Sequence, residues 1–232
     1  GEDPEGAVRR AGDALDEPNP DFPHRTAVLL LDALSGTGEQ ATLWAATIFD
    51  GPTPLRLVGG AAGDDLAMTR TFVGASGQAA QDALVLAMID SKVPLGIGVK
   101  HGHKPFSEPV KVTRADGNVV HEIEGRPAWD VWAEQTRAEA ASRGIDVDAL
   151  PDDQVGAFLL TYEGSLSSGD EIKVRAPLQR TDRGALAFAC AVPEGATMRI
   201  TTSDPQGQVD SARLAAELAR ARGQLDAALE HV

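Results

Sequence analysis

The feature that most constrains the fold is an apolar run at residues 26–31, TAVLLL, followed by a glycine-containing turn at residues 35–38. A short apolar run bounded by a turn predicts a strand buried on both faces. The turn leads into a helical segment over residues 39–49, and residues 55–58 resume extended structure. Strand, helix and strand in this order predict a parallel crossover.

The rest of the chain alternates between strand and helix patterns. Helices are expected over residues 8–15, 127–143 and 208–229; the first is interpreted as an entry segment outside the core, and the last carries an apolar stripe. Strands are expected at residues 69–73, 83–89, 95–100, 110–114, 119–123, 158–162, 171–175, 185–191 and 197–202. The predicted fold class is α/β in the broad sense (mixed α+β), with two subdomains of mixed β-sheet flanked by helices.

A polar connection at residues 144–157 predicts the boundary between these subdomains. We therefore expect an N-terminal entry segment at residues 1–24, a first subdomain at residues 25–150 and a second at residues 151–232.

Charge and composition exclude several function classes. The 232 residues carry a net charge of -14, which disfavours nucleic acid and anionic membrane surfaces as partners. Apolar runs such as residues 83–89 are far too short to span a bilayer. Cys190 is the one cysteine, and no signal peptide is recognisable, so a cytoplasmic location is expected. Aspartate exceeds glutamate and arginine exceeds lysine, which is typical of a halophilic or GC-rich source, although acidity also confers solubility.

The segment from Gly59 to Asp65 is the first candidate binding site. Gly59, Gly60 and Gly63 permit close backbone approach to a ligand, and Asp64 and Asp65 favour an amino group or a cation. The segment matches neither GxGxxG nor a phosphate-binding P-loop. A small-molecule site and a tight structural turn both remain open here.

Two histidines form the second candidate site. Gly98 precedes His101 and His103, whose imidazoles at the end of a strand are typical of a haem or metal ligand. No further residues with metal-ligand spacing accompany them, so no metal site is assigned, and His101 is the first candidate for an axial haem ligand. A loop histidine bonded to backbone or water is the competing interpretation.

Enzymatic chemistry has weaker support. Asp64 or Asp65 as a general base lacks an evident nucleophile or metal partner, and the serines at residues 165–168 lack a G-x-S-x-G elbow. We therefore predict no catalytic residues and keep an enzyme using Asp64 or Asp65 as the lesser alternative.

The ordered motifs together resemble the FIST (F-box and intracellular signal transduction) sensory domain. The resemblance covers about residues 25–231. The motifs that carry it are GGAAGDD (59–65), GIGV (96–99), HG (101–102), VTR (112–114), NVVHEI (118–123), GRPA (125–128), VRAP (174–177) and PEGATM (193–198).

The resemblance implies a prokaryotic signal-transduction module that binds a small ligand such as an amino acid and acts on a signalling protein such as a histidine kinase. Some relatives bind haem and report nitric oxide, so haem is the cofactor that the resemblance suggests. The segment at residues 59–65 and the segment from Gly98 to His103 match the family best. The alternatives are a non-catalytic small-ligand sensor and a haem-dependent nitric oxide sensor with His101 as ligand.

Full family members carry further segments before residue 26 and beyond residue 231. The chain is therefore expected to hold the end of the N-terminal half and the start of the C-terminal half. The apolar stripe of the last helix would then contact a partner or a second copy in a homo-oligomer.

Overall fold

A computed structural model describes residues 3–49, 55–65, 67, 69–168, 171–181 and 183–229. Two compact units are present: unit 1 combines residues 1–100 with residues 213–232, and unit 2 consists of residues 101–212. The predicted boundary at residues 144–157 lies inside unit 2.

Unit 1 is built on the predicted parallel crossover. Its elements are α1 (Pro4–Asp13), β1 (His24–Asp32), α2 (Gly38–Ile48), β2 (Arg56–Ala62), β3 (Val73–Ala75), β4 (Gln78–Ala80), β5 (Leu84–Ser91) and the later part of α5 (Pro205–Leu229). Strand β1 pairs in parallel with β2 and antiparallel with β5, and β3 pairs with β4. The predicted crossover is thus confirmed.

Helix α1 belongs to the core of unit 1, so its interpretation as an entry segment was wrong. Asp3 caps the helix by accepting from the amide of Gly6 at 2.8 Å. Val8 is fully buried and packs with Leu29 of β1 and Ala45 of α2. The acidic, proline-containing residues around this helix favoured an entry segment, although Val8 is well placed to join the core.

Residues 95–100 do not form the predicted strand, because their backbone bonds to arginine side chains and packs against a helix. Arg56 donates to the carbonyl of Leu95 at 2.7 Å, and Arg222 donates to that of Ile97 at 3.0 Å. A Cβ on Gly98 would lie 1.8 Å from the carbonyl oxygen of Ala215 in α5. Only glycine allows this approach.

Residues 69–73 also differ from the predicted strand, which begins only at Val73. The amides of Thr69 and Arg70 donate to the carboxylate of Asp64 at 2.8 and 3.1 Å. These amides are therefore engaged in a loop rather than in a sheet ladder.

Unit 2 contains a large sheet flanked by helices, and every strand pair described in it is antiparallel. Its strands are β6 (Lys104–Pro105), β7 (Val110–Asp116), β8 (Val119–Ile123), β9 (Arg126–Pro127), β10 (Glu163–Ser168), β11 (Glu171–Arg175), β12 (Pro177–Arg180), β13 (Leu186–Phe188) and β14 (Thr197–Thr202). The main path runs β11-β10-β14-β7-β8-β13-β12. The strands predicted at residues 110–114 and 119–123 are confirmed as β7 and β8, which form a hairpin with Gly117 at φ +56° in its turn.

Helix α3 (Ala128–Ser142) covers this sheet as predicted. Trp132 and Thr136 are fully buried on its inner face, whereas Trp129 is half-buried at its start. Trp132 meets Phe188 of β13 edge-on, with ring centroids 5.9 Å apart.

The predicted strand at residues 158–162 is wrong, because this run lies in helix α4 (Val155–Thr161) and ends at Tyr162. Val155, Phe158 and Leu159 are buried, which is the three- and four-residue spacing of a helix. A short apolar run does not by itself distinguish strand from helix. The strand expected at residues 185–191 is shorter, since β13 spans Leu186–Phe188.

Helices beside a mixed sheet in unit 1 and an antiparallel sheet in unit 2 confirm the predicted fold class, mixed α+β. Among the helices that the structure describes, none combines the length and the apolar character needed to cross a bilayer.

We predict that Gly98→Ala destabilises the protein, whereas Gly60→Ala does not. The new methyl group would collide with the α5 backbone at Gly98 but would enter open space at Gly60. Overpacking of this kind costs about 1–3 kcal/mol, and each kcal/mol lowers the Tm of a chain this long by roughly 2–4 °C. Thermal denaturation of both variants measures the difference, and equal Tm values would contradict the packing role of Gly98.

Candidate functional site

The predicted glycine site begins within a strand rather than in a loop. Strand β2 continues through Ala62, and Gly59 and Gly60 pair with Leu29 and Leu30 of β1. A Cβ on Gly59 would lie 1.8 Å from the carbonyl oxygen of Leu29, while Gly60 faces open space. Both glycines line a mainly apolar cavity of about 290 Å³.

The loop after β2 is organised by the carboxylate of Asp64. One oxygen of this side chain accepts from the amides of Thr69 and Arg70 and, at 3.3 Å, from the hydroxyl of Thr69. Asp65 has φ +55°, a left-handed conformation that costs energy for a residue with a Cβ. Gly63 has open space around its α-carbon. These contacts give Asp64 a structural role in the loop.

The structure assigns the remaining predicted site residues to different units. Gly98 lies in unit 1 against α5, as described above. His101 lies in unit 2, where its side chain is exposed and its Nε2 is 3.2 Å from the carbonyl oxygen of Ile172.

The surroundings of His101 do not fit an axial haem ligand. A carbonyl oxygen only accepts hydrogen bonds, so the Nε2 facing Ile172 carries the proton in this contact. This bond leaves only Nδ1 as a possible iron ligand, and the side chain is exposed rather than enclosed in a haem pocket.

His103 and Glu163 form a partly buried pair of titratable groups in unit 2. His103 Nε2 lies 3.2 Å from Glu163 Oε2, and the two side chains are 17% and 15% exposed. Burial lowers the pKa of His103, and the charge of His101 lowers it further. Burial also raises the pKa of Glu163. Both shifts favour the uncharged form.

The described residues offer no metal centre around these histidines. No group of three or more His, Cys, Asp or Glu side chains suited to a metal ion occurs in the described part of the chain. His103 Nδ1 is buried and lacks a hydrogen-bond partner among the described residues.

Asp32, at the end of β1, is a buried carboxylate that the sequence reasoning missed. It accepts from the amides of Leu34 at 2.9 Å and Asp82 at 2.7 Å and from the hydroxyl of Thr71. Burial would raise the pKa of Asp32, but these hydrogen bonds outweigh it and hold the pKa below its usual value. An acidic residue directly after a buried apolar strand was the available signal.

A cavity of about 680 Å³ in unit 2 combines an aromatic ring with opposite charges. Its lining comprises Trp129, Asp152, Val155, Gly156, Leu178, Gln179, Arg180, Thr181 and Gly184. Val155 is buried and Leu178 half-buried, so the cavity has apolar as well as polar walls. The volume lies in the range of small-molecule sites.

Three elements position the polar groups of this cavity. Trp129 is the second residue of α3, Arg180 ends β12, and Asp152 begins a 3-10 turn (Asp152–Gln154). The guanidinium carbon of Arg180 lies 4.6 Å from the ring centroid of Trp129, and Arg180 Nη2 donates to Asp152 Oδ1. The amide of Trp129 donates to the carbonyl of Gly184 at 2.8 Å, which joins the β12–β13 turn to the start of α3.

Sequence reasoning did not assign Trp129, Asp152 or Arg180 to a site. Trp129 lies within the helix predicted over residues 127–143, and Asp152 lies in the polar connection that was interpreted as a boundary. Arg180 stands just before a turn, which was its only local signal. The three residues converge only through the tertiary fold.

Comparison with known proteins supports the resemblance inferred from the motifs. A family model for the FIST N domain matches residues 1–126, and one for the FIST C domain matches residues 128–229. The match begins at residue 1 rather than at about residue 25, and it covers nearly the whole chain. These matches define a sensory domain of signal transduction. The chain belongs to the FIST family.

An uncharacterized protein of Methanocaldococcus jannaschii is 26% identical over 158 residues, covering 67% of this chain and 31% of the relative. The chain therefore spans about a third of that relative's length. No solved structure gives a significant match.

We predict that the stability of single variants at His103 and Glu163 responds to pH in opposite directions. In Glu163→Gln, His103 has a lower pKa in the folded state than its ordinary 6.5, so stability falls as the pH drops below about 6.5. In His103→Gln, Glu163 has a higher pKa in the folded state than its ordinary 4.5, so stability falls as the pH rises above about 4.5. Either slope is at most about 1.4 kcal/mol per pH unit.

Urea unfolding between pH 4.5 and 7 measures both slopes relative to the unsubstituted protein. The double variant lacks both groups and should cancel the two responses. Slopes of the same sign in the two single variants would contradict burial as the cause.

Proposed function

We propose that this FIST domain is a non-catalytic sensor that binds a small, amino-acid-like ligand in the cavity beside Trp129. The observation that carries the proposal is the arrangement of an aromatic ring, a guanidinium and a carboxylate around one cavity of about 680 Å³. Membership of a sensory family supports the same conclusion.

The charges around the cavity suit a zwitterion. Arg180 presents a planar fork of donors that matches a carboxylate, and Asp152 presents acceptors for an ammonium group. Trp129, Val155 and Leu178 supply contact area for an apolar side chain. In this arrangement a bound ligand replaces the contact between Arg180 and Asp152 with two of its own.

A non-catalytic sensory role also agrees with the hydrogen bonds of Asp64, the alternative candidate for a general base. Asp64 accepts three hydrogen bonds from Thr69 and Arg70, so its carboxylate serves the loop rather than a reacting proton. Because Asp64 is occupied in this way, the glycine segment at residues 59–65 is only the second candidate for the ligand site. Gly60 is its open position.

The ligand-bound state would be recognised by a signalling protein, of which a histidine kinase is one example. A partner that binds the ligand-bound form more tightly than the free form shifts the population towards it. A homo-oligomer of this chain, formed through the apolar stripe of α5, is the further assembly that we propose.

We predict that Arg180→Gln weakens the binding of amino acids at least tenfold, because a charge-assisted hydrogen bond to the carboxylate is lost. Isothermal titration with a panel of amino acids measures Kd directly, and a rise in Tm with ligand concentration confirms binding to the folded state. Arg137→Gln is the matched control, since Arg137 is an exposed arginine of the same unit that pairs with Asp148.

Gly60→Ala tests the alternative site, because it adds a methyl group there without a steric clash. Loss of binding in this variant, with Arg180→Gln unaffected, would move the site to the glycine strand. Absence of any amino-acid binding would overturn the proposal.

A further inference from the structure

A second cavity in unit 2, of about 370 Å³, has a distinctly basic lining. Its lining residues are Arg114, Val119, His121, Thr181, Arg183 and Ala185. They come from β7, from β8 and from the turn between β12 and β13. Separate elements of the fold thus bring two arginines and a histidine to one place.

This basic cavity adjoins the proposed ligand cavity. Thr181 lines both cavities, between Arg180 in the larger one and Arg183 in the smaller one. The two cavities therefore meet at the turn between β12 and β13.

The charge of the basic cavity contrasts with that of the chain. The chain carries a net charge of -14, yet every ionisable residue among the described lining of this cavity is basic. Glu122 lies beside the cavity and pairs with Arg114 at 3.0 Å, which offsets one positive charge. Arg183 and His121 remain on the lining itself, and the side chain of Arg114 is 54% exposed despite its pair.

We infer that the ligand of this domain carries an additional anionic group, a carboxylate or a phosphate, which binds in the basic cavity formed by Arg114, His121 and Arg183. The inference rests on the proposed function, because it extends the same ligand from the larger cavity into the smaller one. Arginine forks suit carboxylate and phosphate oxygens, and threonine and histidine add donors. The domain would then discriminate between ligands of equal size by the charge at their far end.

Pairs of ligands that differ in the charge of their terminal group test this inference. Glutamate and glutamine differ in the charge of the terminal group at nearly constant size, and O-phosphoserine and serine show whether a phosphate is preferred. Isothermal titration of the full chain should give a Kd for glutamate or for O-phosphoserine at least tenfold lower than for its neutral counterpart. A preference for one acidic ligand over the other identifies the anionic group.

Variants then show which residues recognise the terminal charge of the ligand. Arg114→Gln combined with Arg183→Gln should bring the ratio of affinities within each pair close to one, while the affinity for glutamine stays the same. Each single variant should give an intermediate ratio, and Arg137→Gln should leave the ratio unchanged. Circular dichroism and Tm confirm that each variant is folded.

The outcomes separate the two proposals. Equal binding of the acidic and neutral members of both pairs would overturn the inference and leave the proposed function standing. A tenfold preference for acidic ligands that survives in the double variant would also overturn it, because the charge would then be recognised elsewhere. Binding of none of the four ligands, together with no binding from the wider amino-acid panel, would overturn both.

Discussion

Unit 1 depends on a contact between two backbones that only glycine permits. Gly96 and Gly98 lie so close to α5 that a Cβ on either would be 1.8 Å from a helix carbonyl oxygen. Arg56 reinforces this contact, since it donates to the carbonyl of Leu95 and pairs with Asp226 of the helix at 2.7 Å. The extended segment thereby obtains hydrogen bonds without joining a sheet, and it contacts the face of α5 that carries Ala215 and Ala219. These contacts hold together the two separate sequence segments of unit 1, residues 1–100 and residues 213–232.

Local patterns predicted much of the fold and failed where tertiary contacts decide. The crossover from β1 through α2 to β2, the β7–β8 hairpin, α3 and α5 all followed from periodicity and turn residues. Residues 95–100 have the composition of a strand, but arginine side chains and α5 take their backbone contacts. Residues 158–162 fit both strand and helix locally, and burial of Val155, one turn earlier, decides for the helix. The first of these choices depends on residues far away in the sequence, and the second depends on which residues of the run are buried.

The candidate site shows the same limit. Glycines and histidines stand out in a sequence because their special chemistry is visible without a fold, and the structure explains several of them by packing or local hydrogen bonds. Trp129, Asp152 and Arg180 are common residue types in unremarkable surroundings. Their significance arises because the amide of Trp129 fixes the β12–β13 turn beside α3, which brings Arg180 over the indole ring. Convergence of three elements on one cavity has no signature in the local sequence.

The acidic character of the chain bears directly on how an anionic ligand would be selected. A net charge of -14 repels anions at long range, but at physiological ionic strength this field is largely screened beyond about 8 Å. Affinity must then come from groups in contact with the ligand, and short-range contacts with Arg114, Arg183 and Arg180 are screened much less. Because acidic residues outnumber basic ones in the chain, weak binding of anions elsewhere on the protein is disfavoured. An acidic surface around a basic cavity therefore increases selectivity for ligands that fill the cavity, while it lowers the rate at which anions approach the protein as a whole.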